Sequence, residues 1–149
     1  MTLVEYGNFE CSYCGMADPI MKEIQESMGD RLRLVFRYFP LAQIHPHAER
    51  AAEASEAAGA QGRFWEMHDL LDEHQRQLDD GHLIGYAERL GLETGRFTSE
   101  LHAGIYAGHV REDLMSGVVR LTCEPRPEFL RSATDAAAPT RPSAHRFTR

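Results

Sequence analysis

Three observations at the amino end of this chain predict an α/β fold. Leu3-Val4-Glu5-Tyr6-Gly7-Asn8-Phe9 is an apolar extended run with an exit turn, the pattern of a short buried strand over residues 2–7. Met16, Ile20, Met21, Ile24 and Met28 then recur at helical spacing, giving a helix over 14–28 closed by Gly29. From Arg31 to Tyr38, Leu32, Leu34, Phe36 and Tyr38 alternate against Arg31, Arg33 and Arg37, the signature of a second strand with one buried face. Two strands joined through a helix form a β-α-β unit, so they should run parallel with a right-handed crossover.

The remaining elements follow in order. Pro19 lies inside the first helix and predicts a kink there. Ala48 to Ala58 is rich in Ala and Glu, a strong helix composition stopped by Gly59. Arg63 to Leu78 sets Phe64, Met67 and Leu71 on an apolar face, with Trp65 and Leu70 beside it, which predicts another helix. Asp79 or Asp80 can cap a helix that runs to Leu90 and stops at Gly91. Thr94 can cap a helix containing Phe97 and Leu101, and a last helix is expected over about 105–118.

Chemistry enters where the first strand hands over to the first helix, at Cys11-Ser12-Tyr13-Cys14. A cysteine at a helix start lies near unpaired N–H groups and the positive end of the dipole, which favour a thiolate. A second cysteine three positions on can attack a mixed disulfide formed by the first. A zinc site needs four ligands, and the only further cysteine is Cys123. His45 and His47 could complete a Cys2His2 set, although nothing in the sequence brings them to the motif. Redox chemistry is the preferred reading, ahead of metal binding and of inert core thiols.

Val4-Glu5-Tyr6-Gly7-Asn8-Phe9-Glu10-Cys11-Ser12-Tyr13-Cys14-Gly15 resembles the active-site segment of the DsbA-like branch of the thioredoxin-fold superfamily. The resemblance continues through Phe36-Arg37-Tyr38-Phe39-Pro40-Leu41, His45-Pro46-His47-Ala48 and Gly62-Arg63-Phe64-Trp65-Glu66-Met67-His68, and covers about residues 2–118. It implies a thioredoxin-like β-α-β core with an all-helical insertion at about 45–104. It implies that Cys11 is the nucleophile, that Cys14 resolves, and that Glu5, six residues before Cys11, is a buried proton relay. Family members usually carry Pro after the first cysteine, where this chain has Ser12. With no histidine inside the motif and with Glu10 beside Cys11, a centre less oxidising than that of DsbA is expected. No cofactor and no metal are expected.

The chain of 149 residues suits one core, and its net charge of −7 argues against a nucleic-acid partner. No stretch approaches the ~20 apolar residues that cross a bilayer, so no membrane span is expected. The sequence opens directly on its first strand with no visible leader, which predicts a cytoplasmic protein, or an extracytoplasmic one whose leader was removed. Residues 1–118 hold ten basic and twenty acidic side chains, whereas 119–149 hold six arginines against Glu124, Glu128 and Asp135, with four of the seven prolines. The family's Thr-Pro loop, β-hairpin and closing helix cannot be found there. The second, β-β-α half is therefore expected to be missing or replaced, with 119–149 a disordered tail. Codons for Glu124-Pro125-Arg126-Pro127 can be chosen so that the neighbouring frame reads Thr-Pro-Thr. A frame change near Val118 or Val119 is the explanation offered by the sequence. Such a chain would have an open sheet edge and a tendency to self-associate.

Thiol–disulfide oxidoreduction on protein thiols or disulfides, with a separate redox-recycling partner, is thus the expected function, its direction unread. The alternative is a catalytically impaired remnant or binding module that lacks the substrate-binding cis-Pro loop. A glutathione-using transferase or isomerase fits less well, because Cys14 is present. Among other candidates, His45-Pro46-His47 is expected to be a loop leading into a helix, and His68 and His74 packing or surface residues. Met16, Met21 and Met28 are expected in the core. Phe9 and Tyr13 are expected either as an apolar rim for substrate or as core.

Overall fold

A computed structural model describes the backbone of residues 1–122 and the side chains of residues 1–119. Strand β1 (Thr2–Gly7), helix α1 (Ser12–Met28), a 3-10 turn at Gly29–Arg31 and strand β2 (Arg33–Tyr38) form the expected β-α-β unit. The strands pair in parallel, with Leu3 opposite Leu34, Glu5 opposite Phe36 and Gly7 opposite Tyr38. Helices α2 (Ala48–Gly59), α3 (Phe64–Glu73), α4 (Asp80–Arg89), α5 (Thr94–Ala103) and α6 (Ala107–Thr122) follow. Cys123, the proline-rich segment after it and the expected tail lie outside the described residues. No described helix is long and apolar enough to cross a membrane.

Strand alternation decides which side of the sheet is core. Leu34, Phe36 and Tyr38 are buried, whereas Arg33, Val35 and Arg37 between them are half-buried. Gly7 is required by this packing, since a Cβ there would lie 2.3 Å from the Phe36 ring. Helix α6 covers part of the other face. Asp113 accepts a 2.8 Å bond from Arg37 Nη1 and a 3.2 Å bond from the Tyr38 backbone N–H, which occupies a donor on the outer edge of β2.

The Ala-rich segment is the hub of the helical layer. Ala51, Ala54, Ala57 and Ala58 are wholly buried, and small side chains let α3, α5 and α6 approach α2 closely. Tyr38 and Ser55 share a buried 2.7 Å hydrogen bond that ties the sheet to α2. Arg50 grips Asp80 with two bonds of 2.8 Å and donates to the Leu101 carbonyl at 2.6 Å, linking α2, α4 and α5.

Several expectations are corrected. β1 is not a buried strand: Thr2 and Val4 are exposed, because they point to the sheet face that α6 leaves open at this end. The apolar stripe of α1 is not core either. Met16 is 69% and Ile20 58% exposed, and no residue of α1 is buried, since among the described elements only α3 and the 3-10 turn pack on it to any extent. Gly59 ends α2 from inside; the glycine with positive φ is Gly62, at 78°. α3 stops at Glu73 rather than Leu78, with His74 as its cap. Asp79 caps α4 as expected, accepting from the N–H groups of Gly81 and His82. Glu93, not Thr94, occupies the cap position of α5, without a side-chain bond. The last helix runs on past Val118 to Thr122.

Candidate dithiol active site

The turn after β1 is built to present two sulfurs. Asn8 organises it: its carbonyl accepts the Cys11 N–H at 3.0 Å, and its side-chain oxygen accepts the Glu10 N–H at 3.0 Å. Its amide nitrogen meets His45 Nδ1 at 2.8 Å, and the Glu10 carboxylate accepts the His47 N–H at 2.8 Å. The His45-Pro46-His47 loop is therefore the brace of the active-site turn, as well as the lead-in to α2. Glu10, expected only as a negative neighbour of Cys11, is occupied by His47.

Cys11 is the N-cap residue of α1, with φ −88° and ψ 117° and no side-chain capping bond, so its sulfur is not committed to the helix end. Its carbonyl closes the first turn, accepting from the N–H groups of Cys14 at 3.0 Å and Gly15 at 3.2 Å. Gln75, just beyond α3, adds a third bond of 2.8 Å to the same oxygen. Gly15 makes room for this contact: a Cβ there would sit 2.8–2.9 Å from the Gln75 carboxamide.

Both thiols are free, and both are half-buried. The difference lies in the proton. The Cys14 thiol is pushed up to about 11, first by burial and further by the neighbouring Cys11 sulfur and the charge of Asp72, against a backbone hydrogen bond from Asn8. The closeness of the Cys11 sulfur thus adds to the cost of a Cys14 thiolate.

Behind the sulfurs lies a group of ionisable side chains from three elements. Burial raises the Glu5 carboxyl on β1, with the charge of Asp18 adding to it and His68 opposing. Burial likewise pushes Asp72 on α3 up to about 7. His68 is 3% exposed and boxed by the rings of Phe36 (4.7 Å between centroids), Trp65 (5.2 Å) and Phe9 (5.3 Å). Its Nδ1 stands 3.6 Å from both Asp69 and Asp72. Asp18, His68 and Asp69 come within 4.8 Å of one another, the one such group of three among the described residues. The Lys22 ammonium already sits there, 2.6 Å from Asp18 and 3.1 Å from Asp69, supplying the positive charge a cation would bring.

Phe9, expected as rim or core, is core: it is 1% exposed and stacks on Phe36 at 5.4 Å. Tyr13, 80% exposed, and Met16 flank the thiols on the open side. Nothing in the sequence marks Asn8, Gln75 or Asp72 as residues of the site. His68 and Asp72 are four apart on one helix, a spacing that could have paired them.

Buried carboxyls give the fold a pH dependence with a definite sign. Glu5, Glu53, Asp72 and Asp113 are all raised, chiefly by burial. The folded chain thus keeps protons that the unfolded chain releases at about pH 4. The stability tied to these groups is full below that value and is lost as pH rises toward 7, where Asp72 titrates. Thermal melting should therefore have a higher midpoint near pH 5.5 than near pH 8, and Asp72→Asn should shrink the gap. A midpoint that climbs from pH 5.5 to pH 8 would contradict this.

Comparison with known proteins bears on the family and the fold. The sequence model of the thioredoxin family matches residues 1–122. An Na(+)/H(+) antiporter NhaA 1 of Salinispora arenicola is 50% identical over 114 residues, which cover 76% of this chain and 17% of that protein. An NhaA antiporter of Herminiimonas arsenicoxydans is 44% identical over 118 residues, covering 79% and 18%. The chain thus spans less than a fifth of the length of these relatives. Among solved structures, a thioredoxin-like oxidoreductase from Silicibacter pomeroyi superposes with a TM-score of 0.69 at 24% identity, covering 80% of this chain and 67% of that one. BdbD from Bacillus subtilis gives 0.68 at 22% identity, covering 85% and 72%.

Proposed function

Starting from a chain that belongs to the thioredoxin family, we propose that it exchanges disulfides with protein substrates through Cys11 and Cys14, in the manner of the DsbA-like branch it resembles. The observation that carries this reading is the dithiol itself: one sulfur uncommitted at the helix cap, the other half-buried one turn further in. As a reductase, the Cys11 thiolate attacks a substrate disulfide, forming a Cys11–substrate bond and releasing one substrate thiolate, which takes a proton from water. Cys14 gives its proton to Glu5 and attacks the Cys11 sulfur. The Cys11–Cys14 disulfide forms and the second substrate sulfur leaves. An external dithiol then restores the pair; the oxidase direction runs the same bonds backwards. The exposed Tyr13 and Met16 offer an apolar rim to an unfolded segment.

Insulin reduction with dithiothreitol as the electron donor tests this reading. The wild-type chain should accelerate it, and Cys14→Ser should accumulate a covalent Cys11–substrate adduct visible on non-reducing gels. Wild-type activity equal to the reductant alone, with no adduct in the variant, would leave the binding-module alternative standing.

A second reading concerns the partner. The domain's relatives include far longer chains named as Na(+)/H(+) antiporters. This supports a membrane transporter, encoded with the domain or apart from it, as an exchange partner. Adducts trapped by Cys14→Ser in a membrane fraction would support this, and adducts confined to soluble proteins would count against it.

A further inference from the structure

The first turn of α1 carries both sulfurs, yet its own residues hold it weakly. Cys11, at the N-cap, makes no side-chain capping bond, and the turn contains no acidic side chain to meet the free N–H groups. Support comes from far along the chain. Gln75 Nε2 donates to the Cys11 carbonyl at 2.8 Å, closer than the intrahelical donors, the N–H groups of Cys14 at 3.0 Å and Gly15 at 3.2 Å.

Gln75 is itself anchored on the helical layer. The His74 N–H before it bonds the Leu70 and Leu71 carbonyls, and the His74 carbonyl accepts the Gln77 N–H at 2.8 Å. The Tyr86 hydroxyl on α4 donates to the Gln77 carbonyl at 2.9 Å. On the α1 side, the Gln75 carboxamide lies 2.8–2.9 Å from where a Cβ of residue 15 would stand. A glycine within a helix weakens it relative to alanine, so Gly15 gives up helix stability and admits Gln75 to the turn.

We propose that Gln75 is a positioning residue for the dithiol, holding the reduced Cys11–Cys14 turn in the conformation that the disulfide requires. The inference rests on the disulfide-exchange reading above. In the closing step the Cys14 thiolate attacks the Cys11 sulfur of a mixed disulfide. The Cys11–Cys14 bond forms and the bond to the substrate sulfur breaks. The departing thiolate keeps the electron pair and takes up one proton from water, matching the one that Cys14 released. A disulfide confines its two cysteines to a narrow range of separation and torsion. A reduced turn that frays must be reordered before it closes, and that ordering opposes the disulfide. The bond from Gln75 removes this freedom in advance and raises the effective concentration of Cys14 at the Cys11 sulfur. Once formed, the disulfide holds the turn by itself.

The test equilibrates the whole chain in mixtures of reduced and oxidised glutathione and counts the Cys11–Cys14 disulfide by quenched mass spectrometry. In Gln75→Ala the equilibrium constant for closing the disulfide should fall about tenfold, the freedom of roughly one backbone residue, which moves the midpoint about 30 mV toward the oxidising side. Gln75→Glu, of the same size but with no donor, should do the same. Gly15→Ala should also lower the constant, because its methyl group displaces the carboxamide, even though alanine favours a helix. The double variant should be no worse than the more affected single one. A merely structural contact would lower the melting temperatures of oxidised and reduced Gln75→Ala equally, whereas the oxidised form should lose more. An unchanged midpoint in Gln75→Ala and Gln75→Glu overturns the proposal, as do additive shifts in the double variant or equal losses of melting temperature. Should Gln75→Ala fail to fold, the midpoint of Gly15→Ala decides alone. Absence of a reversible transition in the wild type would instead sink the disulfide-exchange reading.

Discussion

Replacing Cys11 by serine should reduce insulin-reducing activity to the rate of dithiothreitol alone while leaving the melting temperature almost unchanged. Cys11 is the N-cap of α1 and spends no side-chain bond on the helix. Serine is among the preferred residues at that position, so the fold loses nothing and gains a capping hydroxyl. The chemistry, however, loses its nucleophile. A hydroxyl is not ionised near neutral pH and forms no disulfide, and Cys14 cannot substitute, because its thiol is pushed up to about 11. The prediction separates the two cysteines: Cys14→Ser keeps the attack and traps the adduct, whereas Cys11→Ser abolishes both. Iodoacetamide should agree, labelling Cys11 ahead of Cys14. Substantial turnover by Cys11→Ser, or faster labelling of Cys14, would reverse the assignment.

The largest effect on stability is expected from Phe9→Ala, which should lower the melting midpoint by roughly 10–20 °C. Phe9 is 1% exposed and packs on Phe36, on Tyr38 and on the edge of His68. Removing a buried aromatic ring costs about 3–5 kcal/mol, transfer and cavity together, against a total of about 5–15 kcal/mol for a typical domain. The ring also joins the active-site turn to the core, since Asn8 before it and Cys11 after it carry the bonds of the turn. The variant should therefore show faster exchange of the Cys11 amide as well as a lower midpoint. Calorimetry checks the first effect and amide exchange the second; a midpoint within a few degrees of wild type would mean that the turn is held by Asn8 and Gln75 alone.

Much of the fold is legible in residue patterns because the forces concerned are local. The alternation of Leu32, Leu34, Phe36 and Tyr38 fixes one face of β2, and the Asp79 carboxylate finds the free N–H groups of α4 within three residues. The CxxC announces the site because a strand end and a helix start already bring both cysteines together, before any distant residue braces the turn. What escapes sequence is whatever depends on a partner far along the chain. Met16 and Ile20 have the spacing of a buried stripe, yet periodicity states which residues share a face, not whether another element covers it. Gln75 reaches Cys11 across 64 positions, and Asp72 joins Glu5 and Cys14 only once α3 docks on α1. Composition also misleads over Glu10, whose carboxylate next to Cys11 is engaged by the backbone N–H and ring of His47, 37 positions away.

The central claim, that Cys11 and Cys14 form a redox-active pair, is tested most directly by equilibrating the whole chain in mixtures of reduced and oxidised glutathione and counting free thiols at the two positions by mass spectrometry. A single reversible two-electron transition, with both cysteines converting together and the same curve from either direction, is the predicted result. Cysteines that stay as two thiols at every ratio, or that only accumulate separate glutathione adducts, would contradict it.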